Sequence, residues 1–290
     1  MNITGFTIIR NAIINDYPIV EAIRSILPVV DEMIVSIGNS EDDTEGLIRS
    51  INTNKIKIVH SVWDTHLHKG GEVLAIETNK AMEAISQDAD WLFYIQGDEA
   101  VHEQYHAAIL EAARLYKDDK QVEGLLFKYL HFYGTYNYVG DSRQWYNREV
   151  RIIRNDKGIT SYKDAQGFRR DGNKLRVKLI DAYIYHYGWV KSPEQMFEKQ
   201  KNVSSLWHES KEEWLKTQTK DFIDFSNHYD SLSKFTGTHP LVMQEKISRQ
   251  NWNIELDIKT KHFSPKNRVL HWIEKITGKR LFDFRNYKII

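Results

Sequence analysis

The chain has 290 residues, of which 41% are apolar and 12% aromatic, with a formal net charge of zero. That length and composition supply a substantial buried core and exclude a disordered or low-complexity chain. The absence of cysteine excludes disulfide frameworks and thiolate metal sites and is compatible with the cytosol.

Ile3 to Ile9 reads as a strand and runs into Arg10-Asn11. Asn15-Asp16 precedes a helical pattern in which Tyr17, Val20, Ile23 and Leu27 share a face, with Asp16 as N-cap and Pro28 as the limit. A second strand, Met33 to Ile37, ends in the polar loop Gly38 to Glu45, whose Ser and Asp side chains suit capping of the next helix. Ile56 to Val59 forms a third strand. The loop after it carries His66 and His68, a pair able to bind zinc but without a third ligand at a recognisable spacing. Gly70-Gly71 opens a long helix with Val73, Ile76, Ala81, Ala84 and Ile85 on its apolar stripe.

That helix leads into Trp91-Leu-Phe-Tyr-Ile95, an interior strand followed without a break by Gln96-Gly97-Asp98-Glu99. Gly97 permits a sharp turn, and acids at a strand's carboxyl end are placed to meet a metal or a phosphate. The order β-α-β-α-β-α-β predicts a mostly parallel sheet flanked by helices. Dinucleotide G-x-G-x-x-G and P-loop patterns are both absent, which disfavours nicotinamide enzymes and P-loop NTPases.

A helix over 102–116 and a strand over 124–129 follow, then a crowd of aromatics from Phe127 to Tyr146, mostly core with some faces suited to sugars. Arg148 to Arg154 alternates like a half-buried strand. Asp164 lies in the polar loop Ser161 to Phe168, and the strand Leu179 to Tyr185 ends at His186-Tyr-Gly-Trp189. From Pro193 the pattern is helical, which predicts a sheet domain over 1–190 and a mainly helical extension over 191–290. The N-terminus lacks a basic segment leading into a long apolar one, and no apolar run reaches about 18 residues, so neither a secreted precursor nor a membrane-spanning chain is expected.

Together these stretches resemble family 2 glycosyltransferases of bacterial type, nucleotide-sugar enzymes with the GT-A fold. Ile9-Arg-Asn-Ala12 is similar to the family's first strand end. Asp31-Glu-Met-Ile-Val35 with Ser40-Glu-Asp-Asp-Thr44 resembles its second strand and acidic loop, and Gln96-Gly-Asp-Glu99 stands at its D-x-D metal motif. His186-Tyr-Gly-Trp-Val190 resembles the segment after the last core strand, where a histidine can complete a metal's coordination. The resemblance implies inverting transfer of a sugar from a nucleoside diphosphate to a glycan or lipid-linked hydroxyl. It places donor contacts at Arg10, Asn11, Asn39, Ser40, Asp42, Asn79, Gln96 and Asp98. A Mg²⁺ or Mn²⁺ ion would be held by Asp98, Glu99 and His186, and the general base would be Asp164, with Glu149 as second choice.

Two positions depart from the family. Ile37-Gly38 replaces an acidic pair that contacts uracil, which leaves the donor base open, and Gln96 replaces the first Asp of the metal motif. Both departures also fit a non-catalytic domain of the same fold that binds a glycan or a protein partner.

Charge is unevenly spread. Residues 261–290 carry eight Lys or Arg against Glu274 and Asp283, a local +6 offset by −6 elsewhere. The segment has no nucleic-acid motif, so nucleic acid is not expected. Its stretch Arg268 to Ile276 is a basic amphipathic helix that either packs on the sheet domain or lies on an anionic membrane surface. The expected location is therefore cytoplasmic, with peripheral contact at the inner face of the membrane through 261–290.

Overall fold

The computed structural model describes residues 1–64, 66–67, 70–208 and 211–290, the side chain of Asn227 excepted. In chain order the elements are β1 (Ile3–Ile9), α1 (Ile19–Ile26), β2 (Glu32–Ile37), α2 (Thr44–Arg49), β3 (Ile56–His60), α3 (Glu72–Glu83), β4 (Trp91–Tyr94) and β5 (Glu99–Val101). Then come α4 (His106–Leu115), β6 (Gly124–Gly140), β7 (Arg148–Arg154), β8 (Ile159–Ser161), β9 (Phe168–Arg170), β10 (Asn173–Lys174) and β11 (Arg176–Val190). The remainder holds α5 (Pro193–Val203), α6 (Lys211–Leu215), β12 (Leu232–Lys234), α7 (Gln244–Ser248), α8 (Pro265–Thr277) and β13 (Lys288–Ile289).

The main sheet runs β13-β11-β6-β7-β4-β1-β2-β3, with β12 added to β6 and β5 to β11. The strands from β3 to β4 are parallel, as are β6, β11 and β13, while β7 runs against both of its neighbours. The expectation of a mostly parallel sheet flanked by helices holds. β1 lies between β2 and β4 and is buried along its whole length. Side chains alternate across it: Ile3 and Ile9 face α1 and α4, whereas Phe6 and Ile8 face α3. In β4, Trp91 and Phe93 pack on the first face, Leu92 and Tyr94 on the second, so both layers meet at the strand that ends in Gln96-Gly97-Asp98.

Several local expectations meet competing interactions. Asp43, in the polar loop, caps α2 by accepting from Gly46 N at 2.9 Å. Asp16 does not cap α1, which starts after Pro18; its carboxylate instead faces Lys191 at 3.3 Å and Lys246. Strands predicted over 124–129 and 179–185 extend to 17 and 15 residues. The aromatics beyond their predicted ends stack on one another, as Phe132 does on Tyr187 at 4.8 Å between ring centres, and so continue the pairing. Chain beyond 190 folds back onto this part of the sheet: Tyr133 packs with Trp214 and Phe225, and Phe132 with Phe235.

Candidate functional site

A cavity of about 630 Å³ opens at the carboxyl ends of β1 and β4, where open α/β sheets collect their ligands. Ile8, Ile9 and Tyr94 line it from the sheet, and Lys199, Asn202, Trp207 and Lys211 border it from α5 to α6. Arg10, Asn11, Gln96 and Asp98, four of the expected donor contacts, meet in this one space with Tyr17, Glu41 and Trp63.

The turn after β4 closes through Glu99 N donating to Gln96 O at 3.1 Å. The chain then leaves β4 and adds β5 antiparallel to β11, which sets Glu99 opposite His186. Tyr187 N donates to the Asp98 carbonyl at 2.8 Å and fixes the turn to β11. Consecutive residues entering a strand point to opposite sides, so the two adjacent carboxylates part company.

Asp98 turns to the cavity. Its carboxylate lies 3.3 Å from the Lys199 ammonium and 3.7 Å from His186 Nε2. Burial pushes this carboxyl up, but the neighbouring Lys199 and His186 charges outweigh that and hold it below the ordinary carboxylate range. A Cβ on Gly188 would lie 2.7 Å from Asp98 Oδ2, so only glycine leaves room for this side chain.

Glu99 turns inward and is fully buried. It accepts from Arg151 Nε at 2.9 Å and Nη2 at 2.6 Å, from the Tyr129 hydroxyl, and from Gln96 N at 3.1 Å. Arg151, itself 1% exposed, lies over the rings of Tyr94 and Tyr129. Its Nη2 also donates to the Gln96 side-chain oxygen at 3.4 Å.

The residues expected to hold Mg²⁺ or Mn²⁺ therefore do not fit a divalent ion. Glu99 is committed to Arg151, Gln96 offers an oxygen already turned to the same guanidinium, and the Asp98 carboxylate faces an ammonium. His186 sits beside Asp98 with its Nδ1 lacking a hydrogen-bond partner, and burial holds its pKa below the ordinary value. Among the described residues no cluster of three His, Asp or Glu is arranged to bind a metal. Of the histidine pair without a third ligand, His66 borders the cavity and His68 lies outside the described residues.

Other expected donor contacts hold the rim together. Asn11, at φ 54°, accepts from Glu41 N at 2.7 Å, and its own N donates to Ser40 Oγ at 3.0 Å. Asp42 accepts from the backbone N–H groups of Ile13 and Ile14, both at 2.9 Å, and Asn39 accepts from Trp63 N at 3.1 Å. Asn79 accepts from Ser161 N at 2.7 Å and pins α3 to the end of β8. Ser40, Asp42, Asn39 and Asn79 thus shape the walls without lining the cavity. Gly38 has a local reason: a Cβ there would lie 2.5 Å from Trp63 Nε1, so an acid at this position would displace the indole that borders the site.

The two candidate bases are in different surroundings. Asp164 is half-buried and does not itself line the cavity, although it borders Gly71 together with Trp207 and its neighbour Ala165 lines the space; burial raises its pKa. Glu149 is 5% exposed and lines a separate small recess with Tyr146, Asn286 and Tyr287. Burial lifts its pKa to about 8 against the opposing Arg151 charge, and its Oε2 has no hydrogen-bond partner.

Lys199, Asn202, Trp207 and Lys211 were not anticipated from the sequence. Their only signal was the dense Lys content of a helical stretch roughly a hundred residues after Asp98, which reads equally as a solvated face.

No protein-family model matches the chain, and no curated protein matches it. Solved structures do. S. aureus TarS 1–349 in complex with UDP-GlcNAc matches at 16% identity and a TM-score of 0.40, over 70% of this chain and 65% of that one. A 4-diphosphocytidyl-2C-methyl-D-erythritol synthase from Anaerococcus prevotii matches at 12% and 0.40, over 70% and 98%. Glucosyl-3-phosphoglycerate synthase from Mycobacterium tuberculosis, in complex with Mn²⁺, UDP and phosphoglyceric acid, matches at 20% and 0.31, over 45% and 43%. The chain spans 64% of TarS 1–349 and 39% of a longer TarS chain. The likeness is one of fold.

Proposed function

We propose that the chain is a glycosyltransferase that uses a nucleoside-diphosphate sugar. The observation that carries the reading is the cavity at the carboxyl ends of β1 and β4, which combines Arg10, Lys199 and Lys211 with the Asp98 carboxylate and with aromatic walls from Tyr17, Trp63 and Trp207. Cations suit a diphosphate, aromatic faces suit a base or a sugar ring, and the Asp98 carboxylate, set deeper than the exposed Glu41 that pairs with Arg10 at 3.5 Å, suits the reacting end.

In this reading Asp164 is the general base of an inverting transfer. A half-buried carboxylate with a raised pKa, next in sequence to the lining residue Ala165, is better matched to accept a proton from an acceptor hydroxyl than a fully solvated one. Asp164→Asn is expected to retain donor binding while lowering turnover roughly a hundredfold or more, measured as nucleoside diphosphate released from UDP-, GDP- and dTDP-sugars. Unchanged turnover would remove Asp164 from the role, which the second candidate, Glu149, buried in its separate recess, is not placed to take over. Nucleotide-sugar binding without any release would instead favour the non-catalytic reading.

The acceptor in this reading is a glycan or a lipid-linked hydroxyl presented at a membrane. Among the described residues no helix is long and apolar enough to cross a bilayer. α8 has no buried residue, and Val269, Trp272 and Ile276 stand 58–63% exposed at spacings that place them on one side of it, with Arg268 and Lys275 exposed beside them. Such a face suits shallow insertion at an anionic surface. Trp272→Glu with Ile276→Glu is expected to abolish co-sedimentation with phosphatidylglycerol vesicles, and equal sedimentation of both forms would end the idea.

A further inference from the structure

We propose that Lys199 supplies the positive charge that meets the donor's diphosphate, in the place a divalent cation would otherwise take. The inference rests on the nucleotide-sugar reading of the cavity and names how that site handles charge.

Four observations converge on this side chain. Its ammonium is 3.3 Å from Asp98 Oδ2, so the carboxylate already faces a positive charge. It donates to the Gly188 carbonyl at 3.0 Å and lies 4.8 Å from the centre of the Tyr17 ring, so its position is fixed from three directions. An ammonium has three N–H groups; two are engaged here, and the side chain lines the cavity, which leaves the third for a ligand. Asn202, three residues further along α5, accepts from Lys211 Nζ at 3.3 Å and brings a second ammonium to the same wall.

The other candidate ligands for a metal are committed elsewhere, Glu99 to Arg151 above all. A divalent ion on Asp98 would have to displace Lys199 and would then keep one carboxylate and one imidazole, a poor donor set for a hard cation. The ammonium is already in place and needs no further ligands. During transfer the acceptor oxygen bonds to the anomeric carbon as the bond from that carbon to the diphosphate oxygen breaks. The electron pair departs with the diphosphate and the acceptor's proton passes to Asp164. Lys199 keeps its own proton and stabilises the leaving oxygen through charge and one N–H donor.

The test is nucleoside-diphosphate binding to the full chain, followed by calorimetry and by thermal shift with UDP, GDP, CDP and dTDP, in EDTA and in excess Mn²⁺. The wild type is expected to bind one of them in EDTA within about threefold of its affinity in Mn²⁺. Lys199→Met is expected to weaken that binding roughly tenfold to a hundredfold in both buffers, whereas Lys199→Arg retains most of it. The melting temperature of the ligand-free Met variant reports whether it folds; if it does not, Lys199→Gln and Lys199→Arg carry the comparison. Wild-type binding that vanishes in EDTA, or a charge-removing variant that binds like the wild type, overturns the proposal and leaves the nucleotide-sugar reading standing. Binding of none of the four in either buffer overturns that reading, and the proposal with it.

Discussion

Asp98→Ala is expected to lower sugar transfer at least a hundredfold while leaving the fold and the binding of nucleoside diphosphate in place. The side chain is 17% exposed on a turn, and the hydrogen bond that fixes the turn uses its backbone carbonyl, which the substitution keeps. Lys199 would retain the Gly188 carbonyl but lose the carboxylate that orients it. Loss of one preorganised electrostatic contact at a reacting centre costs about 2.7–4 kcal/mol, or roughly two to three orders of magnitude in turnover. Arg10, Lys199 and Lys211 remain, so a diphosphate should bind about as well as before. Turnover within about tenfold of wild type would remove Asp98 from the reaction. Loss of nucleotide binding along with turnover would show that the carboxylate holds the donor directly or through an ion.

The second large effect concerns stability. Arg151→Met is expected to destabilise the protein by about 3–5 kcal/mol, because it leaves the buried Glu99 carboxylate without its countercharge. That is a large part of the stability of an ordinary domain, so the midpoint of urea unfolding should move far toward lower urea. Combining it with Glu99→Leu should restore much of the loss, since removing both charges removes the penalty of the unpaired one. A double variant no more stable than the single one would contradict this account.

Glu149 gives the same cluster a pH dependence. Its carboxyl is raised to about 8 in the folded chain against an ordinary 4.5, so the native state holds a proton that the unfolded chain releases. Stability from this group is full below about 4.5 and is lost as pH rises toward about 8. Glu149→Gln should therefore match the wild type in urea near pH 4 and exceed it at pH 8. A constant difference across that range would place the titration elsewhere.

The sheet was legible in the sequence where one periodicity dominated. β1, β2, β3 and β4 are short apolar runs separated by helical stretches, and neither long-range pairing nor special backbone geometry was needed to read them. The site was legible only in part. Asp98 follows from its place at a strand end, but the parting of Asp98 and Glu99 depends on β5 crossing to β11, a pairing between residues nearly ninety positions apart. Arg151 alternates in β7 like a half-buried strand residue, and nothing local reveals that its guanidinium sits between two tyrosines and faces a buried acid. Lys199 was hidden for the same reason: its partners are the Asp98 carboxylate on the turn after β4 and the Gly188 carbonyl in β11, not residues of its own helix.

The short strand β13 bears on how this chain associates with copies of itself. It pairs with Arg176 and Val177 of β11, while β5 covers the same strand from Ile184 to His186. Between them these two brief pieces shield both ends of an otherwise open border of backbone N–H and C=O groups. Removing residues 288–289 would bare the first of these stretches to edge-to-edge pairing between molecules. Shortened forms should therefore self-associate into β-rich aggregates, and the surface of α8 is better probed by point substitution than by deletion.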